Sequence, residues 1–297
     1  MIIHLIDGTY ELFRHFYGLR RANNGDPPFG AVRGVLAMTL QMVETGATHI
    51  GVATDHIIES FRNELWPGYK TGAGIERALW AQFHPLEEAL AAMGVVVWPM
   101  IELEADDALA SAAMFSARDR SVEKVCIWTP DKDLAQCVVG DRVVQVDRKS
   151  GKVRDAVGVQ QKFGVTPESI PDYLALVGDT ADGYPGLPGF GAKSAAAVLS
   201  RFLHIEKIPA DASEWKANIF KSGRLAAILA EQREEALLFR TLATLRDDAP
   251  LFDSVESLRW QGPTPSFADF ARSIDAPELV ERADRAAGSI ASSRTRS

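Results

Sequence analysis

Cysteine is nearly missing: Cys126 and Cys137 are the two in 297 residues. They lie in separate segments and form neither a disulfide framework nor a zinc-ligand spacing. Long apolar runs are missing too. No stretch approaches the roughly 20 residues needed to cross a bilayer. The opening "MIIHLIDGTYE" has no basic leader, so the expectation is a cytoplasmic protein with no membrane contact. Nor is there an excess of positive charge, with 32 Lys and Arg against 40 Asp and Glu and a formal net charge of −8. Nucleic-acid binders are usually basic, so taken alone this counts against such a partner. What remains, 46% hydrophobic and 24% charged residues, suits one large or two ordinary globular domains with a substantial core.

Short β-rich runs alternate with helical patterns through the first half. "IIHLI" (2–6), "HIGVAT" (49–54), "GVVVWPM" (94–100), "KVCIWT" (124–129) and "RVVQVD" (142–147) read as buried strands. Between them, Leu79, Phe83, Leu86 and Leu90 keep helical spacing, and Trp80 in that stripe reads as core rather than as a platform for a stacked base. Strands alternating with helices predict an α/β fold, a mostly parallel twisted sheet flanked by helices. The second half reads as helical through "PESIPDYLALVG", "AKSAAAVLSRFL" and "GRLAAILAEQREEALLFRTLATL". After Trp260 come "QGPTP", one more helical stretch and the polar tail "SIASSRTRS", expected to be disordered.

In open parallel sheets, ligands bind beyond the carboxyl ends of the strands. Asp7 and Asp55 follow the first two strands, Glu104, Asp106 and Asp107 the third, and Asp131 and Asp133 the fourth. Asp179 and Asp182 form a further pair in "GDTADGYPGLPGFGAKSA". Each has a plain alternative: Asp-Gly at 7–8 is a turn signal, and acids at 104–107 suit the first turn of a helix. Their convergence on one sheet edge is harder to explain away. Two like charges about 4 Å apart repel by about 4 kcal/mol at an effective dielectric of roughly 20, so a cation must repay the crowding in "ELEADDALASAA". Carboxylates without His or Cys point to Mg²⁺ or Mn²⁺. Nine of them exceed one ion's needs, and two ions about 4 Å apart suit in-line displacement at phosphorus. With nine acids so assigned, 31 remain against 32 Lys and Arg, and the charge argument against nucleic acid lapses.

"GLPGFGAKS" resembles a Walker A loop, but Ala192 separates Gly191 from Lys193 and the segment follows a helical stretch, not a strand. It reads instead as helix, tight turn, then a helix opening at Ala192. That helix's N–H groups and Lys193 would hold a backbone phosphate. A plain interhelix turn is the alternative.

With these residues in hand, the sequence resembles the 5′-nuclease family, which includes the 5′→3′ exonuclease domain of bacterial DNA polymerase I, phage 5′-exonucleases and flap endonucleases. The likeness runs from about residue 2 to 250. "LIDGTYELFR" resembles the opening strand with its aspartate, Asp7, and following arginine, Arg14. "FRNELWPGYK" is similar to the segment entering the helical arch, with Arg62, Tyr69 and Lys70 in the places of phosphate-contacting residues. "ELEADDALA", "TPDKDLAQ" and "VGDTADGYPGLPGFGAKSAAAVL" resemble the E-A-D-D, D-K-D and G-D-x-x-D segments, the last continuing into the helix–three-turn–helix that grips duplex DNA.

The resemblance implies a PIN-like catalytic domain over 1–162 with an arch at about 60–95, and a DNA-binding region over 163–260. A C-terminal segment with a disordered tail over 261–297 would follow. It implies a free-standing, monomeric Mg²⁺- or Mn²⁺-dependent 5′→3′ exonuclease and 5′-flap endonuclease of DNA replication and repair, acting on 5′ ends, nicks, flaps and duplex. All nine acids would hold two ions. Lys70 and Arg62, with Tyr69 and Arg14, would serve the reacting phosphate. Gly186, Gly189, Gly191, Lys193 and Ser194 would contact the duplex, with K⁺ at the turn. Ala181 and Gly183 stand where the family usually has Ser and Asn, which would loosen the loop holding Asp182. Ala73 stands where polymerase-type members often carry arginine, which removes a phosphate contact. A PIN-type ribonuclease would leave 163–203 without a purpose, and a DNA-binding module that has lost its chemistry would not need the intact acids.

Overall fold

Apolar runs that can be covered on both faces favour parallel pairing, and four of the five strand pairings among the described residues are parallel. The computed structural model describes residues 1–23, 27–215 and 219–294. β1 (Ile2–Asp7) leads through α1 (Gly8–Asn23) and α2 (Gly30–Glu44) to β2 (His49–Asp55). α3 (Arg62–Leu65), α4 (Arg77–Trp80) and α5 (Phe83–Ala92) precede β3 (Val96–Met100), and α6 (Ala105–Arg118) precedes β4 (Lys124–Trp128). β5 (Val143–Asp147) then pairs antiparallel with β6 (Lys152–Arg154). The spatial order is β3-β2-β1-β4-β5-β6. The chain therefore winds outward from β1 in one direction, then returns to lay β4 on its other side. Such a switch point leaves a crevice at the carboxyl ends, here between Asp7 and the residues after Trp128.

Period-two alternation divides the strands between two cores. Ile6, Ile50 and Val52 pack with α1, α2 and α5, while Ile3, Leu5 and Ala53 pack against Ala108, Leu109 and Ala112 of α6. The five expected strands are present with ends shifted by one or two residues. β6 carries no periodic signal because it is three residues long and follows a turn at Gly151. The stretch assigned to an arch carries the single turns α3 and α4, and α5 lies in the core through Phe83, Leu86 and Leu90. Trp80 is a correction: it is 40% exposed, stacked on Phe83 rather than buried beside Leu79.

The helices α7 (Ala156–Phe163), α8 (Ile170–Val177), α9 (Ala192–Phe202), α10 (Ser222–Glu231) and α11 (Arg233–Ala243) enclose a separate core around Leu174, Val198, Leu199, Trp215 and Phe239. The chain then returns to the sheet. Trp260 donates from its backbone to the Thr48 carbonyl at 2.8 Å and from its indole to the Met93 carbonyl at 2.8 Å. α12 (Phe267–Ser273) and α13 (Glu278–Arg294) follow. Phe267, Ile274 and Leu279 join the core of α2 and α5. The tail is a second correction: it is helical as far as Arg294, because Ala283, Ala286 and Ile290 continue the stripe that packs on that core. Residues 295–297 lie outside the described residues. No helix among the described residues is long and apolar enough to cross a membrane.

Candidate metal centre

Parallel strands end at the same edge, and the acids after them meet there. One carboxylate oxygen each from Asp106, Asp131 and Asp133 lie within 4.8 Å of one another, and so do those of Asp133, Asp179 and Asp182. Asp133 belongs to both triplets, and its Oδ1 is buried without a hydrogen-bond partner. A buried oxygen with no donor, facing other carboxylates, is what a cation would complete. The all-oxygen donor set fits Mg²⁺ or Mn²⁺. Burial, and then the neighbouring aspartates, hold Asp106 and Asp133 well above the ordinary carboxylate range. A metal-free edge therefore resists full ionisation.

Asp7 and Asp55 flank the triplets. The Asp7 carboxylate accepts from the Tyr10 backbone at 2.8 Å and from the Thr129 hydroxyl at 3.0 Å. Burial, with help from Asp55 and Asp131, still pushes it up to about 7. Asp55 accepts from the Ala105 backbone at 2.8 Å, at the start of α6, and burial raises it as well.

Arg62 is not at the reacting surface. It is 1% exposed and all five of its N–H groups are engaged. It grips Asp107 with two bonds of 2.8 and 2.7 Å and Glu104 at 3.0 Å, and donates to the Leu242 and Thr244 carbonyls. This corrects two expectations together. Arg62 has no donor left for a phosphate. Asp107, fully buried, has its oxygens taken by Arg62 and the backbone of Glu104 and Arg246, which leaves none for a metal. The crowding at 104–107 is thus repaid partly by an internal guanidinium.

Glu104 is also occupied, accepting from Ser60, Arg62 and Tyr69 and pairing with Lys70 at 2.6 Å. Burial would raise it, but Lys70 and Arg62 hold it below its ordinary value. Tyr69 is buried, and its hydroxyl faces Glu104 at 3.4 Å rather than a groove, a further correction. Lys70 does reach the acids: its ammonium lies 2.6 Å from Glu104 and 3.3 Å from Asp182 and keeps partial exposure. Burial opposes its charge, yet Glu104 and Asp182 hold its pKa well above the usual lysine value. Arg14 lies farther along α1, paired with Glu11 and touching His15 at 2.9 Å rather than the acids.

Lys132, passed over in the sequence, ion-pairs with Asp179; a cation between two aspartates in "PDKD" was the available signal. Gly183 does not loosen its loop. Its φ is +84°, and an added Cβ would sit 1.9 Å from the Gly68 carbonyl oxygen. Ala181 donates to the Asp179 carboxylate at 3.0 Å, so that loop is held by its backbone. Beyond it, Gly189, Gly191, Lys193 and Ser194 line one cleft at the start of α9. The Ser194 hydroxyl accepts from the Gly191 backbone at 2.9 Å and caps the helix. Gly186 is buried against Gly178, so it shapes the turn and does not meet a ligand.

Residues 2–164 match the family model described as "5′-3′ exonuclease, N-terminal resolvase-like domain", and residues 165–266 match "5′-3′ exonuclease, C-terminal SAM fold". DNA polymerase I of Pseudomonas aeruginosa is 35% identical over 266 residues, which cover 86% of this chain and 28% of the polymerase. The 5′-3′ exonuclease of Buchnera aphidicola subsp. Baizongia pistaciae is 33% identical over 269 residues, covering 87% of this chain and 86% of that protein. The chain thus spans under a third of the polymerase and most of the exonuclease. Among solved structures, T5 5′-exonuclease with bound zinc superposes with a TM-score of 0.64 at 17% identity, covering 94% of this chain and all of that one. The catalytic core of Rad2 in complex with DNA substrate gives 0.62 at 14% identity, covering 95% and 91%. At these identities the structural likeness establishes the fold, a mostly parallel sheet flanked by helices with a helical second region.

Proposed function

The chain belongs to the 5′-3′ exonuclease family, and on that premise we propose that it hydrolyses DNA phosphodiester bonds at 5′ ends and 5′ flaps using two Mg²⁺ or Mn²⁺ ions. One observation carries this reading: two carboxylate triplets overlap at Asp133, whose buried Oδ1 has no protein partner. Asp106, Asp131 and Asp133 would hold one ion, and Asp133, Asp179 and Asp182 the other, with Asp7 and Asp55 at the margin. When bound, the ions would supply an activated water and offset charge at the scissile phosphate.

The protein's own groups would do the rest. Lys70, part-exposed beside Glu104 and Asp182, is a side-chain cation available to a phosphate entering the edge, as is Lys132 beside Asp179. Arg62 would act indirectly: by neutralising Asp107 and Glu104 it lets α6 present Asp106 outward. Gly189, Gly191 and Lys193, along the α9 cleft, would hold the duplex backbone without reading its sequence. Nicked, flapped and single-stranded DNA, each labelled at the 5′ or 3′ end and incubated with and without Mg²⁺, tests the proposal. Release of short products from labelled 5′ ends in Mg²⁺ alone is expected. No cleavage of any of these DNAs, whether or not an RNA of matching sequence is cut, would overturn it.

A further inference from the structure

Two backbone segments that carry site residues touch with no side chain between them. A Cβ on Gly183 would lie 1.9 Å from the Gly68 carbonyl oxygen, and one on Gly68 would lie 2.7 Å from the Trp66 indole nitrogen. The first is a backbone contact at a residue with φ of +84°, so only glycine at 183 allows this approach, while a side chain at 68 would press on the Trp66 ring. The contact is fastened on both sides. The Trp66 indole donates to the Gly183 carbonyl at 3.0 Å, and the Lys70 backbone donates to the Asp182 carbonyl at 3.0 Å. Behind it, Trp66 meets Phe239 edge-on at 5.2 Å, and Phe239 stacks on Tyr184 at 5.6 Å. Residues 66–70, otherwise part of an irregular stretch between α3 and α4, are thereby pinned to the loop that carries Asp179 and Asp182. Their last residue, Lys70, is left with its ammonium between Glu104 and Asp182.

We propose that the Gly68–Gly183 contact, fastened by the Trp66 indole, is a positioning latch that sets where Lys70 stands at the cleavage site. Lys70 is the group that meets the substrate; Trp66, Gly68 and Gly183 act through it. The proposal rests on the reading of Lys70 as the cation facing the scissile phosphate. A side chain at 183 must push residues 68–69 away, and Lys70 must then leave Asp182, Glu104 or both.

The test uses the full chain with Gly183→Ala, Trp66→Phe, Lys70→Ala and the double variant Gly183→Ala/Lys70→Ala. Trp66→Phe keeps a ring against Phe239 but removes the indole donor. Single-turnover cleavage at saturating flap DNA should fall about tenfold or more in Gly183→Ala and about threefold in Trp66→Phe, with DNA affinity within about twofold of wild type. In the Lys70→Ala background, Gly183→Ala should cost less than about twofold, because the interaction it governs is already gone. Reductive methylation of Lys70 in metal-free protein, followed by mass spectrometry, should quicken about threefold or more in Gly183→Ala as the segment opens. Fully additive losses, or unchanged Lys70 labelling in a variant that melts like wild type, would overturn the latch. Should Gly183→Ala fail to fold, Trp66→Phe decides by the same two readouts. Should wild type leave DNA uncut, the proposed function fails, while the labelling comparison still decides the latch.

Discussion

Asp106 and Asp107 are adjacent on the first turn of α6, and the regions they face treat the same side chain in opposite ways. Asp107 points down into a closed cluster, where Arg62 meets both its oxygens and the backbone of Glu104 and Arg246 supplies further donors. Asp106 points up to the edge, where burial, then Asp131 and Asp7, drive its pKa well up against the opposing charge of Lys70. A buried pair with every oxygen satisfied is structural. Uncompensated carboxylates cost stability until something cationic arrives. Composition therefore says little about which acids do chemistry, and the supply of internal donors says a great deal.

The sharpest way to break this comparison is to neutralise the open edge. Asp106→Asn or Asp131→Asn should lower flap cleavage in Mg²⁺ by at least about a thousandfold, which is about 4 kcal/mol. Metal-free melting should stay unchanged or rise. A variant cleaving at near wild-type rate would refute the two-ion assignment.

Asp107→Asn should show the reverse. Arg62 loses its main partner in a buried site, so stability should fall by about 3 kcal/mol in urea unfolding. The rate per folded molecule should fall far less than in Asp106→Asn. An undiminished urea midpoint would mean that Asp107 is not the partner described.

Lys70 joins the two regions, touching Glu104 of the closed cluster and Asp182 of the open edge. Lys70→Ala should lower kcat/KM by at least about tenfold, or about 1.4 kcal/mol. An unchanged value would mean that no phosphate reaches it.

Asp7 sharpens the comparison through pH. Its folded pKa of about 7 lies above that of an unfolded aspartate, so its contribution is fully present below about pH 4 and is lost as pH rises through 7. Metal-free wild type should lose about 2 to 3 kcal/mol more between pH 5 and 8 than Asp7→Asn does. Parallel pH–stability curves would remove Asp7 from the strained set. The smallest effect belongs to Lys193, away from both regions. Lys193→Ala should flatten the slope of log K against log salt by about one and keep most of its rate at saturating DNA.

Much of this was legible in the sequence because it is local. Strand runs, the acids that follow them and the glycine-rich turn each lie within a dozen residues, and a parallel sheet gathers strand ends without further instruction. What escaped depends on distant partners. Nothing in "FRNEL" says that Arg62 will meet residues 42 to 182 positions away. Its neighbourhood to Lys70 suggested a shared role, and packing divided them. Gly183 looked permissive on its own and is obligatory once Gly68 lies against it. Trp80 kept helical spacing, but α4 lasts a single turn and leaves the ring outside. The tail's Ser and Arg residues concealed an apolar stripe that only the α2 surface makes useful.

The return of the chain to the sheet after α11 has a consequence for biogenesis. Trp260 closes on Met93 across 167 residues, and Phe267, Ile274 and Leu279 cover apolar surface on α2 and α5. A nascent polypeptide emerging from the ribosome therefore holds α2 and α5 with apolar surface bare until residues 260–290 have been translated. The helices between must assemble while that surface waits. Such late, long-range closure slows folding and leaves a sticky intermediate. Chaperone demand during synthesis should accordingly track the interval between translation of α5 and translation of α13.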